Sequence, residues 1–280
     1  MSSEGIDKKQ GAGAGLTRIL SDLHLGHPAT RVKKGRGLRP LLEGCERVIF
    51  NGDTWQERWR DRRDEGKAEL DALRRLLDEL GVEGVFLPGN HDPETGERTG
   101  YVSLGELGEI LVTHGDGVYD VASPFSREIW HYRKEIKDLI TKFPEGDREL
   151  EARLARAREI AKVIKPTPLP DLPVPLNFFA TALWPPSRPV QIARAWREMP
   201  RESLAFLQKF APAAKVLVFG HFHRAGIWEK DGRVLVNTGS FMRGGAAQIV
   251  DLQGGVMKVR AVREMNALFY PSEVKGRWQL

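Results

Sequence analysis

Short runs of apolar residues recur along the chain, and each run ends in polar residues and glycine. Runs of three to five residues rich in Val, Ile, Leu and Phe, bounded by turn-forming residues, are typical of strands that are buried on both faces. The chain contains the runs TRILSDLHLG, RVIFNGD, GVFLPGNHD, EILVTHGD, KVLVFGHFH and RVLVNTGS. The pattern predicts a strand at the start of each.

Helical periodicity appears between several of these runs. The clearest case is GKAELDALRRLLDELG, in which one stripe is apolar and Gly81 is placed to end the helix; the stripe consists of Leu70, Leu73, Leu76, Leu77 and Leu80. Further on, residues 246–262 form two apolar runs joined by Gly254 and Gly255, which predicts a hairpin. Alternating strands and helices predict an α/β fold, here two packed mixed β-sheets flanked by helices.

Residues 117–211 lack this strand pattern. They contain helical stretches and a segment, 166–189, that holds eight of the 17 prolines. We predict a helical cap inserted over 117–211, which divides the α/β domain into 17–116 and 212–280 after a disordered tail over 1–16. The charge-free stretch PLNFFATALW (175–184) is interpreted as a buried hook of this cap, with lipid contact as the alternative.

Composition narrows the class of protein. Of the 280 residues, 41% are apolar and 29% charged, which is typical of a globular protein. The formal net charge of +5 favours anionic partners without naming one. The single cysteine, Cys45, excludes an internal disulfide. No apolar run approaches the length of a membrane span or a signal peptide, so we expect a cytoplasmic protein.

Potential metal ligands follow five of the predicted strands. The carboxyl ends of strands gather ligands in open α/β sheets, so these side chains are expected to converge. Five of the seven histidines are among them, whereas His27 and His131 are interpreted as ordinary histidines. The candidates are Asp22, His24, Asp53, Asn90, His91, Asp92, His114, Asp116, His221 and His223.

The mixture of His, Asp and Asn favours Mn, Zn, Fe, Co or Ni over Ca or Mg. Each residue alone has a simpler interpretation as a turn former or a core residue. If every one of these simpler interpretations were correct, the five motifs would be five independent coincidences. The metal site is therefore preferred. The number of ligands exceeds what one ion takes, and it suits two ions that share a carboxylate.

The five motifs in order resemble those of the calcineurin-like metallophosphoesterases. They are SDLHLG (21–26), NGD (51–53), GNHD (89–92), THGD (113–116) and GHFH (220–223), and the resemblance covers residues 17–116 and 212–265. It implies a sandwich of two sheets between helices, and a hydrolase in which two divalent metal ions, manganese first among the candidates, supply a metal-bound hydroxide that attacks a phosphoester.

The resemblance also implies the role of each residue. One ion would be held by Asp22, His24, Asp53 and His223. The other would be held by Asp53, Asn90, His114 and His221, so that Asp53 bridges the two. His91 would donate a proton to the leaving oxygen, and Asp92 would orient His91.

Within the family, the sequence looks most similar to the UDP-2,3-diacylglucosamine hydrolases. The similarity rests on SDLHLG, on GDTWQERW with Trp55 and Trp59, and on the helical insertion after HGD. It implies a phosphorylated lipid or small-molecule substrate, cleavage of a pyrophosphate, and a cap that contacts the periphery of the inner membrane. The missing Asp-Arg-Gly after the second motif argues against serine/threonine phosphatases.

Two alternatives stay open. A nuclease or general phosphodiesterase would use the net charge and the basic clusters, such as Arg58, Arg60, Arg62 and Arg63, to bind nucleic-acid phosphates. Against it, no interleaved aromatic and basic platform is present. A non-catalytic metal-binding scaffold is disfavoured because His91 and the full ligand set are intact. The oligomeric state is left open.

Overall fold

The computed structural model describes residues 15–96, 99–119, 129, 131–165 and 187–280. The predictions for the tail over 1–14, for the stretch 175–184 and for most of the proline-rich segment lie outside these residues. The described strands are β1 (Thr17–Leu20), β2 (Arg47–Asn51), β3 (Glu83–Leu87), β4 (Tyr101–Leu104), β5 (Ile110–Thr113), β6 (Val216–Phe219), β7 (Gly226–Lys230), β8 (Arg233–Asn237), β9 (Gln248–Gln253), β10 (Val256–Met265) and β11 (Leu268–Gln279).

The α-helices of the described residues vary widely in length. They are α1 (Arg39–Leu42), α2 (Arg63–Leu80), α3 (Arg133–Lys142), α4 (Leu150–Val163) and α5 (Arg188–Phe210). Helix α2 carries the predicted leucine stripe, and it ends where Gly81 adopts a left-handed φ of 65°. None of these helices has the length and apolar character needed to cross a bilayer.

The strands form two sheets. The six-stranded sheet has the order β11-β10-β9-β1-β2-β3, and the five-stranded sheet has the order β4-β5-β6-β8-β7. Strands β1, β2 and β3 are parallel to one another, as are β5, β6 and β8. The other pairings are antiparallel, including the predicted β9–β10 hairpin at Gly254 and Gly255. Both sheets are therefore mixed.

Alternation along the strands explains how the layers stack. Ile19 and Ile49 face Val112 and Val218 in a core between the two sheets, whereas their sequence neighbours face the opposite way. Leu20 and Phe50 pack on α2, and Leu217 and Phe219 pack on α4 and α5. Strands buried on both faces therefore read as continuous apolar runs, and the predicted α/β sandwich of two mixed sheets between helices is confirmed.

Helices α4 and α5 belong to the region predicted as a cap. Leu154 of α4 and Met199, Leu204 and Leu207 of α5 share one apolar cluster with strands β5, β6 and β8. Helix α5 thus makes the contacts of a flanking helix of the sandwich. The division at residues 117 and 211 stays a prediction, and these contacts favour counting α5 with the sheet on which it packs.

Candidate metal centre

The predicted ligands converge where five strands end. Strands β1, β2 and β3 of one sheet and β5 and β6 of the other are each followed by a short loop, and these five loops meet. Loop contacts join them: the Asp22 N–H donates to the Gly52 carbonyl at 3.1 Å, and the His24 N–H donates to the Asp53 carbonyl at 2.9 Å. Residues 200 positions apart in the sequence are thereby brought into one pocket.

The first group consists of Asp22, His24, Asp53 and His223. Their ligand atoms all lie within 4.8 Å of one another. His223 Nε2 is 3.2 Å from Asp22 Oδ1 and 3.0 Å from His24 Nε2. His24 Nε2 is in turn 3.7 Å from Asp53 Oδ2. Two carboxylates and two imidazoles therefore face one point.

The second group consists of Asp53, His114 and His221, with the amide of Asn90 beside them. His114 Nε2 is 3.4 Å from Asp53 Oδ2. Asn90 Oδ1 is 3.2 Å from His114 Nε2 and 2.7 Å from His221 Nδ1. Because Asp53 belongs to both groups, the two groups are adjacent and share its carboxylate.

The chemistry of these donors suits two transition-metal cations. The His114 Nδ1–H donates to the Asn51 carbonyl at 3.0 Å, which leaves Nε2 directed into the centre. Fixing the tautomer of a ligating histidine through its other nitrogen is the usual arrangement around bound metals. Imidazole and carboxylate donors together favour Mn, Zn or Fe over Ca or Mg.

Backbone strain is concentrated at the same residues. Asp22, His24, Asp53, His221 and His223 all have positive φ, between 50° and 66°. For residues other than glycine this conformation costs about 1–2 kcal/mol each, and it persists only where the surroundings impose it. Strand β6 ends at Phe219, and His221 and His223 are both left-handed, so an extended chain does not set the directions of their side chains.

Glycine is needed at two motif positions because a candidate ligand lies too close to leave room for a Cβ. A Cβ on Gly52 would lie 2.4 Å from Nδ1 of His114, and a Cβ on Gly220 would lie 2.1 Å from Oδ2 of Asp22. Any side chain at either position would displace a candidate ligand. The glycines of NGD and GHFH are therefore part of how the centre is packed.

Asp53 and His114 dominate the electrostatics of the metal-free centre. Burial opposes ionisation of Asp53, but the positive charges of His114 and His91 and the hydrogen bond to His114 hold its pKa well below the usual range. Burial likewise opposes the charge of His114, but Asp53 raises its pKa well above the usual range. His114 and Asp53 thus favour each other's charged forms, and His114 would have to lose its proton to hold a cation.

His91 lies beside the two groups as predicted. Its backbone N–H donates to Asp53 Oδ1 at 2.8 Å, and its ring centroid is 4.8 Å from that of His24. Burial, together with the neighbouring histidines, lowers the pKa of His91 to about 4 even though Asp53 acts in the opposite direction. His91 is therefore neutral at pH 7.

Asp92 does not orient His91. Its carboxylate instead accepts four backbone N–H groups: Oδ1 from Asp53 at 2.9 Å and Gly89 at 2.8 Å, and Oδ2 from Thr54 at 2.8 Å and Trp55 at 3.4 Å. The side-chain partner of His91 is Gln56, whose Oε1 is 3.0 Å from His91 Nδ1. Asp92 thus joins the loops after β2 and β3, and the predicted orienting role falls to Gln56.

Gln56 is the functional residue that sequence reasoning missed. It is buried, and its Nε2 lies 2.9 Å from Nδ1 of His24, so its amide contacts both His24 and His91. The available signal was its position three residues after Asp53 in the same loop. His27, interpreted as an ordinary histidine, also lies near the centre, with its ring 6.2 Å from that of His24 and 5.1 Å from that of Trp59.

Most of the predicted basic clusters are engaged elsewhere. Arg62 pairs with Glu65, and Arg58 donates to the carbonyls of Ala161 and Lys162 at the end of α4. Asp116 belongs to neither ligand group and lines a small cavity with Arg158 and Leu154. The clusters are therefore largely structural.

Three basic side chains, Lys33, Arg62 and Arg243, lie near one another, and Lys33 lies near His27. Burial and the charges of Arg243 and Arg62 lower the pKa of Lys33, and Lys33 contributes to lowering the pKa of His27. Lys33 bonds to the Pro28 carbonyl, and neither it nor Arg243 has an ion-pair partner among the described residues. An anionic group would relieve the repulsion between them.

The chain matches one family of known proteins and is similar to several solved structures. The family described as calcineurin-like phosphoesterase matches residues 17–225. No curated protein matches the chain.

Three solved structures resemble it at low identity. Chaetomium thermophilum Vps29 shares 14% identity, with 95% of each chain covered and a TM-score of 0.46. A dimetal phosphatase from Danio rerio shares 13%, with 89% of this chain and 96% of that chain covered and a TM-score of 0.44. A cold-active protein-tyrosine phosphatase of Shewanella shares 14%, with 98% and 85% covered and a TM-score of 0.44.

Proposed function

The chain belongs to the calcineurin-like phosphoesterase family, whose members are metal-dependent hydrolases, and on that premise we propose that it cleaves phosphoester or pyrophosphate bonds at a dinuclear centre. The observation that carries the proposal is the shared position of Asp53, which lies within reach of both ligand groups. We assign Asp22, His24, Asp53 and His223 to one cation, and Asp53, Asn90, His114 and His221 to the other.

Each part of the centre then has a task. Two cations held by these residues would neutralise the negative charge of the phosphate and would supply a water molecule of lowered pKa for attack at neutral pH. The ligands must be deprotonated before they bind, so His114 gives up its proton when metal enters. Asp53 belongs to both ligand groups. Its carboxylate also accepts a hydrogen bond from the backbone N–H of His91, which fixes the loop that carries His91.

We propose His91 as the group that assists departure of the leaving oxygen. A neutral imidazole carries one N–H, and it can donate a hydrogen bond to an oxygen on which negative charge develops. With Nδ1 of His91 bound to Gln56, Nε2 is the nitrogen available to substrate. His91 contributes at this step without contacting the cations.

For the substrate, we propose a pyrophosphate of the UDP-2,3-diacylglucosamine type, hydrolysed to two phosphate monoesters. Lys33 and Arg243 support a second phosphate beside the scissile one, since Lys33 interacts with His27 and neither basic side chain has an ion-pair partner among the described residues. The paired rings of His27 and Trp59 offer an aromatic surface near them. A lipid product would be consistent with binding at the periphery of a membrane.

The second candidate function is a nuclease or general phosphodiesterase. The same basic side chains favour it, because Lys33, Arg62 and Arg243 would also bind a nucleic-acid backbone. The two functions differ in salt dependence, since a nuclease that releases counterions loses affinity steeply as salt rises, whereas a small pyrophosphate does not.

A substrate panel tests the proposal. Metal-reconstituted protein, loaded with manganese or zinc in turn, is assayed with UDP-diacylglucosamine, a dinucleotide, a cyclic nucleotide and single-stranded DNA. We expect the pyrophosphate substrates to be cleaved fastest. Preference for DNA with strong salt dependence would favour the nuclease, and absence of turnover on every substrate with both metals bound would leave only a scaffold.

A further inference from the structure

Gln56 contacts both a metal ligand and the residue that assists the leaving group. Its amide is buried, with Nε2 2.9 Å from His24 Nδ1 and Oε1 3.0 Å from His91 Nδ1. An amide oxygen only accepts hydrogen bonds and an amide nitrogen only donates them. The orientation of this one amide therefore determines which ring nitrogen carries the proton in both histidines.

The orientation in the structure fixes one pair of tautomers. Gln56 Nε2 donates to His24, so Nδ1 of His24 is an acceptor and its proton is on Nε2. Gln56 Oε1 accepts from His91, so His91 carries its proton on Nδ1. In this state, His24 Nε2 presents an N–H to the candidate ligands Asp22, Asp53 and His223.

Metal binding is incompatible with that arrangement. The nitrogen of His24 that faces the other ligands is Nε2, and a ligating nitrogen must offer its lone pair. The proton of a neutral His24 then resides on Nδ1, which becomes a donor toward Gln56. Only the amide oxygen can accept it, so the amide must rotate by half a turn, and its nitrogen then donates to Nδ1 of His91.

We propose that Gln56 couples the tautomer of His24 to that of His91: a cation held by Nε2 of His24 would place the His91 proton on Nε2, ready for the substrate oxygen. The proposal rests on the proposed metal centre. Gln56 is thus a positioning residue, since it acts through His91 and touches neither metal nor substrate. It makes the N–H that the reaction needs conditional on a loaded centre.

His114 provides an internal comparison. Its Nδ1–H donates to the carbonyl of Asn51 at 3.0 Å, and a backbone carbonyl cannot exchange donor and acceptor roles. The tautomer of His114 suited to metal binding is therefore imposed in advance. His24 differs because its partner is an amide that can present either atom, and only at His24 does metal binding have a tautomer to reverse.

The test is nitrogen-15 NMR of the histidine rings, in metal-free protein and in protein loaded with diamagnetic zinc. Long-range proton–nitrogen correlations distinguish the two tautomers, and signals absent from His91→Gln identify His91. We expect His91 to change from Nδ1–H to Nε2–H when zinc binds, while His114 has a proton on Nδ1 in both states and loses only the proton on Nε2.

Two variants separate Gln56 from other causes. Gln56→Glu presents only acceptor atoms, so His91 is expected to keep Nδ1–H with and without zinc. Gln56→Met has similar size and no hydrogen bond, so zinc should no longer select the His91 tautomer. For Gln56→Met we expect kcat for esters with poor leaving groups to fall by about 10- to 100-fold, with KM within about twofold.

The possible results test the Gln56 coupling and the proposed phosphoesterase function separately. An unchanged His91 tautomer in zinc-loaded wild type, or a zinc-dependent change that persists in Gln56→Met, overturns the coupling. The coupling is also overturned if the nitrogen signals of the His24 ring do not change when zinc is added. A tautomer change in a protein that hydrolyses no phosphoester would support the coupling and reject the proposed function.

Discussion

At the scale of single residues, several candidate ligands have strained backbone conformations, and neighbouring residues hold them in place. Five candidate ligands have positive φ, and two motif glycines leave room for ligand atoms that a Cβ would displace. Such strain collects where the surrounding structure leaves no alternative. The ligand positions are therefore set before any metal arrives.

His91→Ala is expected to retain metal and lose rate. His91 is beside the ligand groups but in neither of them, so metal content by mass spectrometry should be unchanged. Loss of one hydrogen-bond donor to a developing negative charge should slow esters with poor leaving groups by about 10²- to 10³-fold. The matched control is His131→Ala, an exposed histidine. A full rate in His91→Ala would remove His91 from the chemistry.

Asp92→Asn should act on stability. Both carboxylate oxygens accept two backbone N–H groups each, so an amide nitrogen in place of either oxygen would face two donors. Leaving these donors unpaired is expected to lower the free energy of unfolding by about 3 kcal/mol, measured by urea denaturation. If Asp92→Asn is as stable as wild type and instead alters the His91 tautomer, the original orienting role would be restored.

The candidate ligands could be predicted from the sequence because each follows a recognisable strand. Gln56 could not, since its role depends on how the loop after β2 passes between His24 and His91. Asp92 was misinterpreted for a related reason: its four backbone partners belong to loops whose conformation the sequence does not reveal.

At the scale of elements, helices from the region between the fourth and fifth motifs hold the loops of the centre. Arg153 of α4 donates to the Gly117 carbonyl just after THGD, at 2.7 Å. Trp196 of α5 donates from Nε1 to the Phe222 carbonyl, between His221 and His223, at 2.9 Å. Helices α4 and α5 thus support the loops of the centre as well as lying beside them.

Trp196→Phe is expected to weaken metal binding with little change in fold. The substitution keeps an aromatic ring but removes the hydrogen bond that fixes the peptide between the two histidines. We expect the metal Kd to rise by about 10-fold, measured by calorimetry. The control is Trp228→Phe, since Trp228 packs against the same apolar cluster and its indole N–H has no partner among the described residues. Equal affinity in both variants would contradict this role.

The sequence indicated the central strands and helix α2 but not three outer strands. Strands β4, β7 and β11 each pair antiparallel at an edge, and they lack a continuous apolar run. Strand β11 includes Pro271 and Gly276, both of which argue against a strand on local grounds. Pairing with β10 along most of its length overrides that local preference.

At the scale of the whole molecule, two sheets bring together side chains that the sequence separates by up to 200 positions. This convergence follows from strand order, because β1, β2 and β3 end beside β5 and β6. The fold and reaction class were predictable because every motif follows a strand. The substrate was not, since it depends on surfaces around the centre that carry no motif of their own.

The lowered pKa of His27 should appear in the pH dependence of the free energy of unfolding. Burial and neighbouring positive charges hold the pKa of His27 well below its ordinary value of 6.5. As pH falls below about 6.5, the unfolded chain therefore gains a proton that the folded protein does not, and His27 lowers stability. Metal-free wild type should lose stability relative to His27→Phe between pH 7 and 4, measured by urea denaturation. A constant difference across this range would contradict the shift.

The most direct test of the central claim is to count bound metal in wild type and in Asp53→Asn. Protein stripped with chelator, reloaded with manganese or zinc and desalted is analysed by elemental mass spectrometry, with Asp71→Asn on the surface of α2 as control. Because Asp53 belongs to both ligand groups, we expect about two ions per chain in wild type and the control, and loss of both ions with all phosphoesterase activity in Asp53→Asn. Two ions retained in Asp53→Asn, or none in wild type, would contradict the shared centre.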